Sequence, residues 1–138
     1  MVILQFFRPE KNMGDPQTIA TFESNTKPSN EVKLILQQAC YDCHSNVTKY
    51  PWYNNITPVN YWLAHHVDEG KEHFNVSKWS EYPNKRKDYK LKELIEMVED
   101  KSMPLNSYTW AHGDAKLSDS QIKALVDWAQ KVRDGYNL

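Results

Sequence analysis

The sequence predicts an all-α domain of four to five helices joined by long ordered loops. Apolar residues recur at helical spacing in several stretches, and no run alternates apolar and polar residues as a half-buried strand does. Only four glycines serve 138 residues, which disfavours a turn-rich sandwich. With 40% hydrophobic and 25% charged residues, the chain can bury one core and is not of disordered composition.

Residues 1–28 read as an extended arm, which from Arg8 onward is polar, lacks a sustained period and carries Pro9, Pro16 and Pro28. The apolar start, Met1 to Phe7, lacks the cationic residues and cleavage site of a signal peptide. It reads either as a segment that packs on the domain or as the remnant of a membrane anchor at residues 1–7. The domain proper covers residues 29–138. Its first helix runs from Ser29 to about Ala39, with Val32, Ile35, Leu36 and Ala39 on one face. Tyr50 to Asn55 is a turn rich in aromatics. Pro58 opens a helix from Val59 to about Asp68, and Gly70 is expected to end it. Residues 74–83 are irregular. A helix from Lys87 to Lys101 follows, with Leu91, Leu94, Ile95 and Val98 on one side; Pro104 stops it, and a loop spans Met103 to Trp110. The last helix has the clearest start. Ser118 and Gln121 form a capping box, Ile122, Leu125, Val126 and Ala129 make its apolar face, and Gly135 suits its end.

The chemistry is concentrated in Cys40-Tyr41-Asp42-Cys43-His44, which contains both cysteines of the chain. A disulfide closing so short a loop would constrain little of the unfolded chain. C-x-x-C-H is instead the attachment sequence of c-type haem. Two thiols three residues apart on one helical turn can each join a vinyl group on the same porphyrin edge, and the adjacent imidazole can reach the iron. A thioredoxin-like pair needs a preceding strand in a βαβ context, and a zinc site needs a second ligand pair at finger-like spacing; neither is present.

With His44 as proximal ligand, Met103 is the first choice for the sixth position. It sits in a loop after a helix and just before Pro104, where it can fold over the other ring face. The competing reading of Met103 is core filler. Met97, in mid-helix, and Met13, in the arm, are weaker choices. His66 and His112 are the rival histidines; His65 and His73 are the others. Trp52, Trp62 and Tyr108 are expected to line the cofactor pocket, where indole and phenol tips can bond propionates; Trp79 and Trp110 are further aromatics with the same alternative reading, ordinary core.

A net charge of −1 gives no electrostatic basis for binding nucleic acid, and no segment has the eighteen or so apolar residues of a transmembrane helix. The basic run Lys85-Arg86-Lys87, continued by Lys90 and Lys92, reads as a solvated helix face or as a dock for an acidic redox protein. Asn46, Asn55 and Asn75 head N-x-S/T sequons, which matter only in a eukaryotic secretory setting.

From about Phe7 to Trp128 the chain resembles the haem-binding-domain family of bacterial cytochrome c-like proteins. The resemblance rests on Cys40 to Asn46, Pro51-Trp52-Tyr53, Pro58-Val59, His66-Val67 with Glu69-Gly70, Phe74-Asn75 with Trp79, Met103-Pro104, and His112 with Ala115-Lys116-Leu117-Ser118. It implies one haem c bound covalently through Cys40 and Cys43, with His44 as axial ligand. It implies a cytochrome c-like fold in which the first and last helices cross, and Met103 falls at the family's Met-Pro position. Members commonly carry an anchoring or export segment followed by a phrase similar to Gln5-Phe6-Phe7-Arg8-Pro9. Haem c is attached outside the cytoplasm, so the periplasm is the implied location. The expected function is single-electron transfer between redox proteins, without enzymatic activity. The alternative is a haem-based sensor or peroxidase-like enzyme whose sixth site is open or labile.

Overall fold

The structure is a computed structural model that describes residues 3–138. The segment read as an anchor remnant begins on Met1 and Val2, which lie outside the described residues. Among the described residues there are seven α-helices and no strand, beyond the four to five helices expected. They are α1 (Gln17–Thr26), α2 (Asn30–Ala39), α3 (Tyr41–His44), α4 (Val59–His73), α5 (Asn84–Glu99), α6 (Asn106–Ala111) and α7 (Asp119–Asp134). Short 3-10 turns at Trp52–Asn55 and Val76–Glu81 fill stretches expected to be a turn and irregular chain. No helix among them is long and apolar enough to cross a membrane.

The helices start where side chains satisfy orphan backbone donors. Ser29 Oγ accepts from Val32 N–H at 3.2 Å at the head of α2. At α7 the reciprocal box forms: Gln121 N–H donates to Ser118 Oγ at 3.2 Å, and Ser118 N–H to Gln121 Oε1 at 2.9 Å. α7 packs lengthwise on α5 and also meets α2, bringing the first and last helices of the expected domain together. Leu36, Leu91, Val98, Leu125 and Ala129 are buried where these helices meet.

The extended arm is corrected: residues 17–26 are helical, and α1 supplies the middle of the core. Phe22 is fully buried and meets Tyr41, Phe74, Trp79 and Trp128 edge-on, with ring centroids 5.1 to 6.4 Å apart. Trp128 Nε1–H also donates to Thr26 O at 2.9 Å. The start signal of α1 is Asp15-Pro16: Asp15 Oδ1 accepts from Gln17 N–H at 2.9 Å. Further towards the N-terminus, Gln5 exchanges two hydrogen bonds with the backbone of Thr57, and Tyr61 Oη–H donates to Phe7 O. The segment is thus tied down by polar groups, while Phe6 and Phe7 remain exposed.

Gly70 does not end α4, which continues to His73. Its role is close approach. A Cβ at position 70 would lie 2.5 Å from Cys43 O and 3.0 Å from Cys43 Cβ, so only glycine lets α4 cross α3 at this distance. A lone glycine inside a helical pattern marks such contacts.

Candidate functional site

α2 and α3 carry the cysteine pair. The chain kinks at Cys40 (φ −124°, ψ −48°), and the next turn, closed by His44 N–H to Cys40 O at 3.0 Å, holds Cys43 and His44. The segment after His44 is braced from distant parts of the chain. Asn12 donates through Nδ2 to Ser45 O (2.8 Å) and Thr48 Oγ1 (2.9 Å), while its Oδ1 accepts from Lys71 Nζ (2.9 Å). Asn75 Nδ2 donates to Asn46 Oδ1 at 2.8 Å, so two of the sequon asparagines bond each other, and Asn75 is buried.

His44 is held in one tautomer. Its Nδ1 lies 2.9 Å from both Gly70 O and Phe74 O, and two carbonyls can only accept, so Nδ1 carries the proton. Nε2 then keeps a free lone pair. Burial lowers the pKa of the imidazole, opposed by these two carbonyls, so the neutral, metal-binding form is favoured at neutral pH. A second hydrogen bond that fixes ring and tautomer is the usual support of a metal-ligating histidine.

Cys40, Cys43 and His44 open onto a largely apolar cavity of about 590 Å³, within the range of roughly 300–1,000 Å³ typical of small-molecule and cofactor sites. Leu36, Val76, Leu94, Val98 and Leu117 supply apolar wall, and Met97, Met103 and Tyr108 also line it. Burial pushes the free thiols up to about 12 for Cys40 and about 11 for Cys43. Neither is the ready thiolate that a dithiol redox pair or a zinc site employs. Among the described residues no three His, Cys, Asp or Glu side chains are grouped to hold a metal ion unaided. A porphyrin supplies four nitrogens itself and needs from the protein only axial donors, an apolar slot and, for covalent attachment, two thiols. The residues fit that group.

The expected site residues divide. Cys40, Cys43, His44, Met103 and Tyr108 come together at the cavity, and so does His66. Trp52 and Trp62 do not line it, and that expectation is corrected. Trp52 is 77% exposed in its 3-10 turn, edge-on to Tyr53. Trp62 is half-exposed on α4 one turn before His66, whose ring it meets edge-on at 4.5 Å, and it stops short of the lining. His112 is likewise outside: it stacks on Tyr108 at 4.2 Å and meets Tyr53 Oη through Nε2 at 3.2 Å. Met13 is exposed and paired by backbone with Val47.

Sequence reasoning missed the Gly70 and Phe74 carbonyls and the partner of Tyr108. Tyr108 Oη–H donates to Asp42 Oδ2 at 2.7 Å, tying the methionine segment to the middle of the C-x-x-C turn. Asp42 Oδ1 accepts from Lys49 N–H at 3.0 Å, which fixes the carboxylate. Trp79 is buried in the core rather than the cavity, and Trp110 is almost fully exposed.

The family model of the haem-binding domain matches residues 1–131. The chain belongs to the haem-binding domain family. It is therefore a haem-binding protein, and the cavity beside His44 is where its residues suit the cofactor. No curated protein and no solved structure matches the chain.

Proposed function

We propose that this haem-binding domain is a monohaem c-type cytochrome that transfers single electrons between redox proteins in the periplasm, where haem c is attached. The observation that carries the proposal is the convergence of Cys40, Cys43, His44 and Met103 on one apolar cavity. In this reading Cys40 and Cys43 would hold the porphyrin through thioethers, and His44 Nε2 and Met103 Sδ would ligate its iron. When bound, the haem supplies a one-electron Fe(III)/Fe(II) couple. The chain contributes orientation and exclusion of water. Gly70 O and Phe74 O keep the His44 ring in place, so it need not reorganise as charge changes. The apolar lining limits solvent, and a thioether ligand raises the potential relative to a second imidazole. The domain acts as a carrier, not an enzyme.

Protein matured in a host competent for haem c attachment tests this. The expected result is an intact mass exceeding the polypeptide by one haem, a c-type pyridine haemochrome, and a ferric sulfur-to-iron band lost in Met103→Ala together with a fall in potential. An unchanged Met103→Ala spectrum would mean another sixth ligand. The position of His66 in the cavity wall favours, as second reading, a sensor or peroxidase-like site with a labile sixth position. Rapid carbon monoxide binding by the reduced wild type would select it.

A further inference from the structure

Apart from Cys40, Cys43, His44 and Tyr108, the polar side chains of the cavity wall come from α4 and α5. His66, Glu69 and His73 lie on α4; Lys90, Glu93 and Glu96 lie on α5. Lys90 is the one lysine or arginine in the lining, against three glutamates. It shares a stripe of α5 with Leu94, Met97 and Val98, the i, i+4, i+7, i+8 spacing of that helix's cavity wall. The rest of the basic run turns elsewhere. Arg86 lies over the Tyr82 ring, Lys87 over Trp79, and Lys92 pairs with Glu96 with its side chain 54% exposed. The Lys90 side chain is 12% exposed; its Nζ meets Glu93 Oε2 at 3.3 Å and lies 5.8 Å from the centroid of the Tyr89 ring, so among the described residues Glu93 is the only anion paired with it. Glu93 is 38% exposed. Glu93 can thus return to water at little cost, whereas Lys90 is committed to the wall and needs an anion there.

Haem brings such anions. Its two propionates leave the porphyrin from the edge away from the vinyl groups, which the cysteines would hold. A carboxylate entering this cavity is repelled by Glu69, Glu93 and Glu96 and attracted at Lys90. We propose that Lys90 binds a haem propionate, exchanging Glu93 for the porphyrin carboxylate when the cofactor is in place. The proposal rests on the haem c reading above. It makes part of the sequence's basic run an internal cofactor contact instead of a partner dock.

The experiment uses matured protein whose haem content has first been verified by pyridine haemochrome, so that failure of the haem c reading is seen separately. The midpoint potential is followed from acid to alkaline pH, and propionate bending modes are recorded by resonance Raman, in wild type, Lys90→Gln, Lys90→Arg and Lys85→Gln, whose lysine is exposed in the first turn of α5 and does not line the cavity. Lys90→Gln is expected to move the propionate ionisation up by about one pH unit, a tenfold weaker acid, and to shift the bending mode. Lys90→Arg restores both, and Lys85→Gln leaves both at wild type. Profiles of Lys90→Gln and Lys85→Gln that coincide, with an unmoved bending mode, overturn the proposal. A second variant covers poor maturation of Lys90→Gln. If Lys90 holds a propionate, Glu93→Gln in the haem-loaded protein leaves Tm unchanged. If Lys90 keeps Glu93 as its partner, that variant strands a buried charge, Tm falls by several degrees, and the proposal is lost.

Discussion

Replacing Gly70 by alanine sets two effects of opposite sign against each other. In a free helix interior, alanine is preferred to glycine by about 1 kcal/mol. At position 70 the new methyl would stand 2.5 Å from the Cys43 carbonyl oxygen and 3.0 Å from the Cys43 carbonyl carbon and Cβ. The nearest atom is backbone and cannot rotate away, so α4 must move off α3, an overpacking cost of about 1–3 kcal/mol. The same movement pulls Gly70 O from His44 Nδ1, now 2.9 Å away. Overpacking less the alanine preference leaves about 0–2 kcal/mol, and the weakened hydrogen bond adds about 1 kcal/mol, so the net expectation is a loss of about 1–3 kcal/mol, a fall in Tm of roughly 3–12 °C for a chain of this size, and an altered visible spectrum of the haem-loaded protein. Gly113→Ala is the control, since a Cβ there meets nothing within 4 Å. Denaturant midpoints, thermal melts and visible spectra of the three matured proteins decide it. If Gly70→Ala melts as high as Gly113→Ala with an unchanged spectrum, the crossing of α4 over the C-x-x-C-H turn is not held to its present distance by glycine.

Tyr108→Phe removes the donor to Asp42 Oδ2 at 2.7 Å and should lower stability by about 1–2 kcal/mol while loosening the Met103 segment; faster imidazole entry to the ferric protein is the readout, and wild-type rates would refute it. Phe22→Ala empties the centre of the aromatic cluster and should lose about 3–5 kcal/mol, measured as a lower urea midpoint with unchanged m. Tyr41 and Tyr108 have pKa values raised by burial first, then by Glu23 and Asp42 respectively. The folded chain then keeps protons that the unfolded chain releases near pH 10. Their contribution is whole below that pH and declines as pH climbs above it, so Tyr41→Phe/Tyr108→Phe should flatten the alkaline loss of stability in urea midpoints.

How far the site could be read from sequence depended on whether the signal was local. The C-x-x-C-H run, the helix start near Ser29 and the Ser118–Gln121 box are local signals; the structure begins α2 beside Ser29, which caps it, and forms the box. α1 was hidden because its inward face is Ile19, Phe22 and the polar Thr26, with only two apolar residues to mark a period, and Asp15-Pro16 looked like loop. Trp52 and Trp62 were drawn into the pocket by residue type alone, but their exposure is set by which face of each turn meets the core. Lys90 looked like any other member of the basic run; only the register of α5 turns it inward. The Tyr108–Asp42 bond joins positions 66 residues apart, and no local pattern announces it.

Asn12 bears on how small a working fragment can be. Besides its three side-chain bonds, its N–H donates to Tyr50 Oη and its carbonyl accepts from Thr48 N–H, so every polar group of the residue is engaged, Oδ1 on Lys71 of α4 and the rest on the strip behind His44. Trimming the leading stretch to reach a minimal haem-binding domain would therefore keep the C-x-x-C-H run, yet remove the clip beneath it. Such a truncated product would be expected to receive its cofactor and then hold it slackly.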